Sequence, residues 1–300
     1  MSERLAIDLN FSEEEIQTLT NIFPKGVCAF DFEMTGLSPV FDKIIEIAAV
    51  KITPQGDIET FHSLVNPLIE VPEYTIEYHG LNNDILRDAP SLKKPLKEFV
   101  DFYGDMPLIA HGAIFDTSFL VKALHEFHYP IALSDILDSC RLARAYFKSV
   151  AKNSEITPPE NYKLSTLASY YNLRFEHHQA LDDAFVALKV FAKILKELPS
   201  GERHSKMRNY AHVFKLKDFK RQESYALPKK LEILKSFLQT KTPIEIKYSG
   251  GKRKEEFRPV TPIALLPMPQ GLMLYGICML DNLNKYFQTK KIKEIREIEK

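Results

Sequence analysis

Cysteine is scarce: Cys28, Cys140 and Cys278 are scattered over 300 positions with no C-x-x-C pair. That excludes a disulfide framework or a structural zinc site and predicts a reducing compartment. Long apolar runs are missing too, none reaching the roughly 18 residues of a membrane span. The N-terminal region carries acids at Glu13, Glu14 and Glu15, where a secretory leader would carry bases and then an apolar core. The expectation is a cytoplasmic protein with no membrane partner. Net charge is also absent, with 40 Lys+Arg against 40 Asp+Glu, yet the sum hides a division. Residues 1–198 hold 18 basic and 29 acidic residues, a net of −11, and residues 199–300 hold 22 and 11, a net of +11. Such asymmetry suggests an acidic, cation-loading part joined to a basic part that could attract a polyanion.

The composition is that of a globular protein, 45% hydrophobic, and the length suggests about two domains. Val27 to Leu37, VCAFDFEMTGL, organises the rest. In a strand, side chains alternate between faces. Asp31 and Glu33 therefore share a side with Val27 and Ala29, while Cys28, Phe30 and Phe32 fill the other. Two carboxylates held this close repel each other, and ionising both is costly unless a cation lies between them. A lone D-x-E pair more often lies on a solvated strand edge. Here apolar neighbours on both faces indicate a central strand, where unpaired charge is expensive. Thr35-Gly36-Leu37 then ends the strand, the glycine allowing a sharp turn and close approach of another molecule.

Residues 12–23 form a short helix, with Ser12 and Glu15 as a capping box and Ile16, Leu19 and Phe23 as one stripe. Strands over 42–53 and 58–65, joined by short turns, continue an antiparallel meander. Loop and helix over 66–106, with His79 in a turn, precede a strand over 107–111 and a helix over 116–127. In that helix Asp116 falls in the first turn on the stripe of Phe119, Leu120, Ala123, Leu124 and Phe127. It serves as an N-terminal cap or as a third carboxylate. A strand over 130–133, a helix over 134–146, a surface loop over 148–162 and a helix over 163–171 follow.

The segment His177 to Ala184, HHQALDDA, opens a helix that runs to about Leu198. Asp183 shares its side with Ala187, Val190 and Ile194, whereas Asp182 points with Lys189 and Lys193 toward water. Asp183 is therefore the candidate ligand. His178 comes from the turn before the helix, since it would stand about 140° from Asp183 within it. Asp31, Glu33, Asp116 and Asp183 supply four hard oxygen ligands, which select Mg²⁺ or Mn²⁺. Four carboxylates can hold two such ions about 3.5 to 4 Å apart for in-line displacement at phosphorus. A neutral imidazole at His178 can take the proton from the attacking water. The implied chemistry is phosphodiester hydrolysis; the rival is a non-catalytic nucleic-acid-binding or sensing protein that keeps the fold.

Residues 26–198 resemble the DEDDh 3′-to-5′ exonucleases, the group of the DnaQ-like DNA polymerase proofreading subunit and ribonuclease T. The resemblance rests on FDFEMTGLSP at 30–39, AHGAIFDTSFL at 110–120, HQALDDA at 178–184, DSCRLAR at 138–144 and YKLSTLASYY at 162–171. It implies an α/β fold, ribonuclease-H-like, with a mixed five-stranded sheet and flanking helices, preceded by a helical extension over 1–25. By position, Asp31, Glu33, Asp116 and Asp183 would bind two Mg²⁺ or Mn²⁺ ions, and His178 would be the general base. The backbone of Thr35, Gly36 and Leu37 would seat the 3′-terminal nucleotide of a single strand of DNA or RNA, and Phe115 would wall its pocket. The products would be nucleoside 5′-monophosphates, and a polymerase or another nucleic-acid-processing protein is the implied partner. Gly112 departs from the pattern, standing where the family commonly has asparagine.

Residues 199–228 read as a basic linker and 229–300 as a small β-rich module, with a helix over 229–238 and strands over 243–248, 255–259, 272–280 and 285–291. This module resembles a WYL domain, an SH3-like barrel, through IEIKY at 244–248, RPVTPIALL at 258–266, GLMLYGIC at 271–278 and KYFQTKKIKEI at 285–295. Met273-Leu274-Tyr275 stands in place of the naming triplet. Lys247, Arg258, Lys285 and Lys291, with Tyr248, Tyr286 and Phe287 as stacking surfaces, form a hypothetical nucleic-acid face; a charged surface over core aromatics is the alternative.

Overall fold

A computed structural model describes residues 10–151, 156–173, 179–220, 227–250 and 256–298. The chain divides into two units: one drawn from the chain up to Thr35, Ile44–Thr117 and Pro130–Lys217, the other from Gly36–Lys43, Ser118–Tyr129 and Asp218 onward. Among the described residues no helix is long and apolar enough to cross a membrane.

In the first unit α1 (Glu13–Ile22) starts at the expected capping box. Ser12 N–H donates to Glu15 at 2.8 Å and Glu15 N–H to Ser12 Oγ at 3.2 Å. β1 (Val27–Met34), β2 (Ile44–Ile52) and β3 (Ile58–Leu64) form the antiparallel meander. After α2 (Glu73–His79), α3 (Asn83–Leu86) and α4 (Lys93–Tyr103), β4 (Leu108–Ala110) lies parallel to β1. α5 (Ile114–Glu126) follows, its residues from Ser118 belonging to the second unit. β5 (Asp135–Asp138) lies parallel to β4 and leads to α6 (Ser139–Val150), α7 (Leu164–Tyr170), α8 (Ala180–Glu197) and α9 (Arg203–Ala211). β6 (His212–Lys215) returns antiparallel to β5 and completes a mixed sheet of order β3-β2-β1-β4-β5-β6.

The sheet therefore has six strands where five were expected. The sixth, and α9 before it, come from the stretch read as a basic linker. Only Phe214 of β6 turns into the core, at 7% exposure, which is too thin a pattern to announce a strand. The strand expected over 130–133 lies five residues later. Leu133 is 69% exposed, and Asp138 closes β5 and caps α6 by accepting the Arg141 N–H at 3.1 Å.

The two faces of β1 are buried differently. Phe30 and Phe32 stack with Phe99 of α4, ring centroids 5.7 Å from each, and Phe99 meets Tyr103 at 5.0 Å. Val27 and Ala29 share a core with Ala184, Leu188 and Phe191 of α8. α8 is buried nearly all round, 14 of its 18 residues being buried. This overturns the placement of Asp182 and Lys189 toward water: both are buried, at 6% and 7% exposure. The reason is α1, which packs against α8 and meets this stripe. Glu15, itself 3% exposed, takes Lys189 Nζ at 2.7 Å and Lys193 Nζ at 3.6 Å. Lys189 also donates to the Asn10 carbonyl and lies 4.8 Å from the centre of the Phe11 ring.

The second unit holds α10 (Lys229–Glu232), α11 (Leu234–Thr240) and five strands, β7 (Ile244–Tyr248), β8 (Phe257–Met268), β9 (Gly271–Cys278), β10 (Leu283–Gln288) and β11 (Ile292–Glu297). All pair antiparallel, in the order β10-β9-β8-β7-β11. β8 runs on to Met268, well beyond the expected end, and β11 was not anticipated. Segment 36–43 is built into this unit: Leu265 N–H donates to Ser38 Oγ at 2.7 Å, and Val40 and Phe41 pack on its core. Tyr248 and Phe287 are buried in that core, edge to face at 5.3 Å, so neither can stack on a base. Tyr286 keeps 37% of its surface exposed beside Tyr275, ring centroids 4.7 Å apart.

Burial raises the proton affinity of Glu15, but hydrogen bonds from Lys189 and the Ser12 backbone outweigh it and hold the carboxyl below its ordinary value. Its stabilising contribution is therefore present at neutral pH and lost as pH falls through the lowered value. Glu15→Ala should destabilise the protein by about 3–5 kcal/mol, because it strands a buried ammonium. Glu15→Ala with Lys189→Met should recover most of that loss in urea unfolding. Equal losses in the single and double variants would contradict this account of the pair.

Candidate metal centre

Asp31 and Glu33 project from the C-terminal half of β1 on the face covered by α8, as alternation requires. Asp183 meets them from the first turn of α8, where the partial positive charge of a helix start favours an anion. One oxygen from each of Asp31, Glu33 and Asp183 lies within 4.8 Å of the others. Asp31 and Glu33 are half-buried and Asp183 is buried.

Asp116 arrives by a different route. The parallel β1–β4 ladder spans only Cys28–Leu108 and Ala29–Ile109. The chain then leaves β4 through Gly112, whose φ of +78° suits a residue without a side chain, and enters α5. Asp116, 5% exposed, accepts the Phe32 N–H at 3.3 Å. Its carboxylate is thus fixed to the backbone between Asp31 and Glu33. All four acids expected at the site act on one another electrostatically.

The proton affinities record that crowding. Burial, followed by Asp116, Asp183, Glu33 and Glu46, drives Asp31 well above the ordinary carboxylate range. Burial, then Asp183, Glu46 and Asp116, pushes Glu33 to about 8. Burial also raises Asp116, to about 7, with hydrogen bonds from its own backbone and from Phe32 working against the rise and Asp138 and Asp183 adding to it. Oxygen-only donors that resist ionisation together fit a hard metal cation, whose charge would replace the protons.

Three residues around this centre escaped the sequence reading. Glu46 sits directly across from Glu33 in the β1–β2 register, is 8% exposed, and is hydrogen-bonded to His62 Nε2 at 2.5 Å. The available signal was an acid in the middle of IIEIAAV, a run otherwise buried on both faces. Asp138 accepts the Gly112 N–H at 3.3 Å as well as capping α6, bracing the turn that delivers Asp116. His111, next to Gly112, contacts Ser139 Oγ at 2.8 Å and the Tyr162 carbonyl at 2.9 Å.

His178 lies outside the described residues. Thr35 is buried at 1% exposure and Phe115 is half-buried. Gly36 and Leu37 fall in the second unit. Leu37 is 45% exposed, and a Cβ on Gly36 would stand 2.5 Å from the Asp42 carboxylate, which accepts the Ser38 N–H at 2.7 Å. Glycine is needed there for that close approach and not for an unusual φ.

Comparison with known proteins agrees with this geometry. The chain is 34% identical over 170 residues to a PolC-type DNA polymerase III of Caldanaerobacter subterraneus subsp. tengcongensis, covering 56% of this chain and 11% of that protein. It is 32% identical over 170 residues to the PolC-type DNA polymerase III of Bacillus subtilis, with the same coverage of 56% and 11%. The chain thus spans about a tenth of the length of these relatives. Among solved structures, E. coli exonuclease I in complex with an oligonucleotide has the same fold, with a TM-score of 0.54 at 13% identity over 84% of this chain and 55% of that one. The model of the exonuclease family RNase_T matches residues 28–191. The stretch includes all four acids of the site, and on it the chain belongs to the RNase_T exonuclease family.

Proposed function

We propose that the chain removes nucleotides from the 3′ end of a single nucleic-acid strand, with Mg²⁺ or Mn²⁺, and releases nucleoside 5′-monophosphates. The observation that carries this reading is the approach of Asp31, Glu33 and Asp183 to within 4.8 Å of one another. With the backbone-anchored Asp116 beside them, they are the residues that would hold the metal. Two bound ions would supply an activated water and offset the charge that develops at phosphorus. The protein's own part is to fix those four carboxylates, to seat the terminal nucleotide, and to move a proton. Thr35, Gly36 and Leu37 offer backbone for the sugar and base, Phe115 an apolar wall, and His178 an imidazole that takes the proton of the attacking water. The PolC-type relatives support DNA as the strand and a polymerase as the setting in which the chain works.

Two outcomes are expected from 3′-labelled single strands incubated with Mg²⁺ or Mn²⁺. Labelled mononucleotides appear first. Asp31→Ala and Asp183→Ala lower kcat more than about 100-fold, since metal ligands matter more than the outer groups that support them. His178→Ala lowers it about 10²- to 10⁴-fold. Unchanged rates in these variants, or no mononucleotide from the parent, would leave a non-catalytic nucleic-acid binder.

Stability reports on the same centre. Glu33 and Asp116 titrate in the metal-free fold at about 8 and 7, above their values in an unfolded chain. Their contribution is therefore complete only below about pH 4 and is lost progressively as pH rises from there through about 7 and 8. A divalent cation should remove that loss. Added Mn²⁺ should raise Tm more at pH 8 than at pH 5, and an equal shift at the two pH values would contradict the assignment.

A further inference from the structure

A cavity of about 400 Å³ lies at the other end of the six-stranded sheet from the carboxylates. It opens where β1, β4 and β5 begin, against Gly26, Pro107 and Asp135. Gly26 is five residues before Asp31, about 16 Å along a strand, so an occupant would not touch the metal centre. The walls are largely apolar and include Phe23, Leu133 and Met207. Phe23 and Met207 are each 4% exposed, while Leu133, at 69%, stands at the mouth. A volume in this range with apolar walls is the form of a small-molecule site.

The rim states what the occupant must carry. Lys25 is paired with Asp105, and Asp135 meets both His212 at 3.2 Å and Lys215 at 3.7 Å, so the two acids of the rim are already engaged. His204 and Arg208 remain. They are exposed and stand one turn apart on α9, on either side of Met207 in sequence and on the same stripe. Among the described residues neither has a hydrogen-bond or ion-pair partner. With no acid among the described residues paired to either, the guanidinium and the imidazole beside it are suited to an external anion. The Arg208 fork matches a carboxylate, sulfonate or phosphate with two parallel hydrogen bonds.

We propose that this cavity binds an amphipathic organic anion, its apolar body between Phe23, Leu133 and Met207 and its anionic head on Arg208 and His204. The site is separate from the exonuclease centre and does not depend on the reading given for it.

The test uses the full chain in EDTA, titrated with 8-anilinonaphthalene-1-sulfonate, a dye with an aromatic body and one sulfonate. Saturable, one-to-one fluorescence enhancement is expected. Arg208→Glu should raise the Kd at least about 10-fold, the scale of a lost charge-assisted pair. Leu133→Asp, a change at an exposed position, should act in the same direction. Both variants should keep the parent rate of nucleotide release. Displacement of the dye by dodecanoate would identify a lipid-like source for the anion, and displacement by AMP a nucleotide source. The proposal is overturned if the enhancement does not saturate, or if both variants bind the dye as the parent does.

Discussion

Several carboxylates confined to one partly dry spot repel one another, and much of the first unit is arranged around holding them there. Asp31 and Glu33 are placed by the alternation of a central strand, Asp183 by the first turn of a long helix, and Asp116 by a hydrogen bond from the Phe32 N–H. Burial alone makes Asp31, Glu33 and Asp116 costly to ionise, and their mutual repulsion adds to that cost. The two effects together appear as proton affinities lifted above those of free carboxyl groups. A fold that maintains such a cluster gains from it only when a divalent cation takes up the charge. The apolar packing behind β1, Phe30 and Phe32 on Phe99 and Val27 and Ala29 on α8, provides the rigidity that keeps the acids from separating.

The cluster was legible in the sequence because its residues obey local rules. Period-two alternation put Asp31 and Glu33 together, and helical phase chose Asp183 over Asp182 as the residue facing them. The same phase argument misjudged Asp182 and Lys189, because it assumed that the stripe beside the Asp183 face is wet. α1 meets that stripe through Glu15, and whether a distant helix covers a face is not a local property. Glu15 offered a clue only in retrospect: a capping-box acid that also neutralises a buried lysine.

The strands that were misplaced or missed teach a related lesson. Ile131 and Ala132 are apolar but only half-buried and Leu133 is exposed, whereas the true strand, Asp135–Asp138, carries an acid at each end. One of those acids, Asp138, braces both α6 and the Gly112 turn, a task that composition alone does not reveal. β6 contributes a single inward phenylalanine to the sheet edge, and it is recognisable only once β5 is in place to pair with it. In the second unit Tyr248 and Phe287 look like a binding face when read as exposed aromatics, yet each packs against the other in the core. Elements defined by their partners stay hidden until the partners are positioned.

The central claim is that acids distant in sequence share one cation site. A crystal of the full chain soaked in Mn²⁺ and measured at a wavelength sensitive to manganese tests it directly. The account predicts anomalous density bridging the carboxylates of Asp31, Glu33 and Asp183, with Asp116 beside it. Density confined to other acids, with none between these three at saturating Mn²⁺, would contradict it.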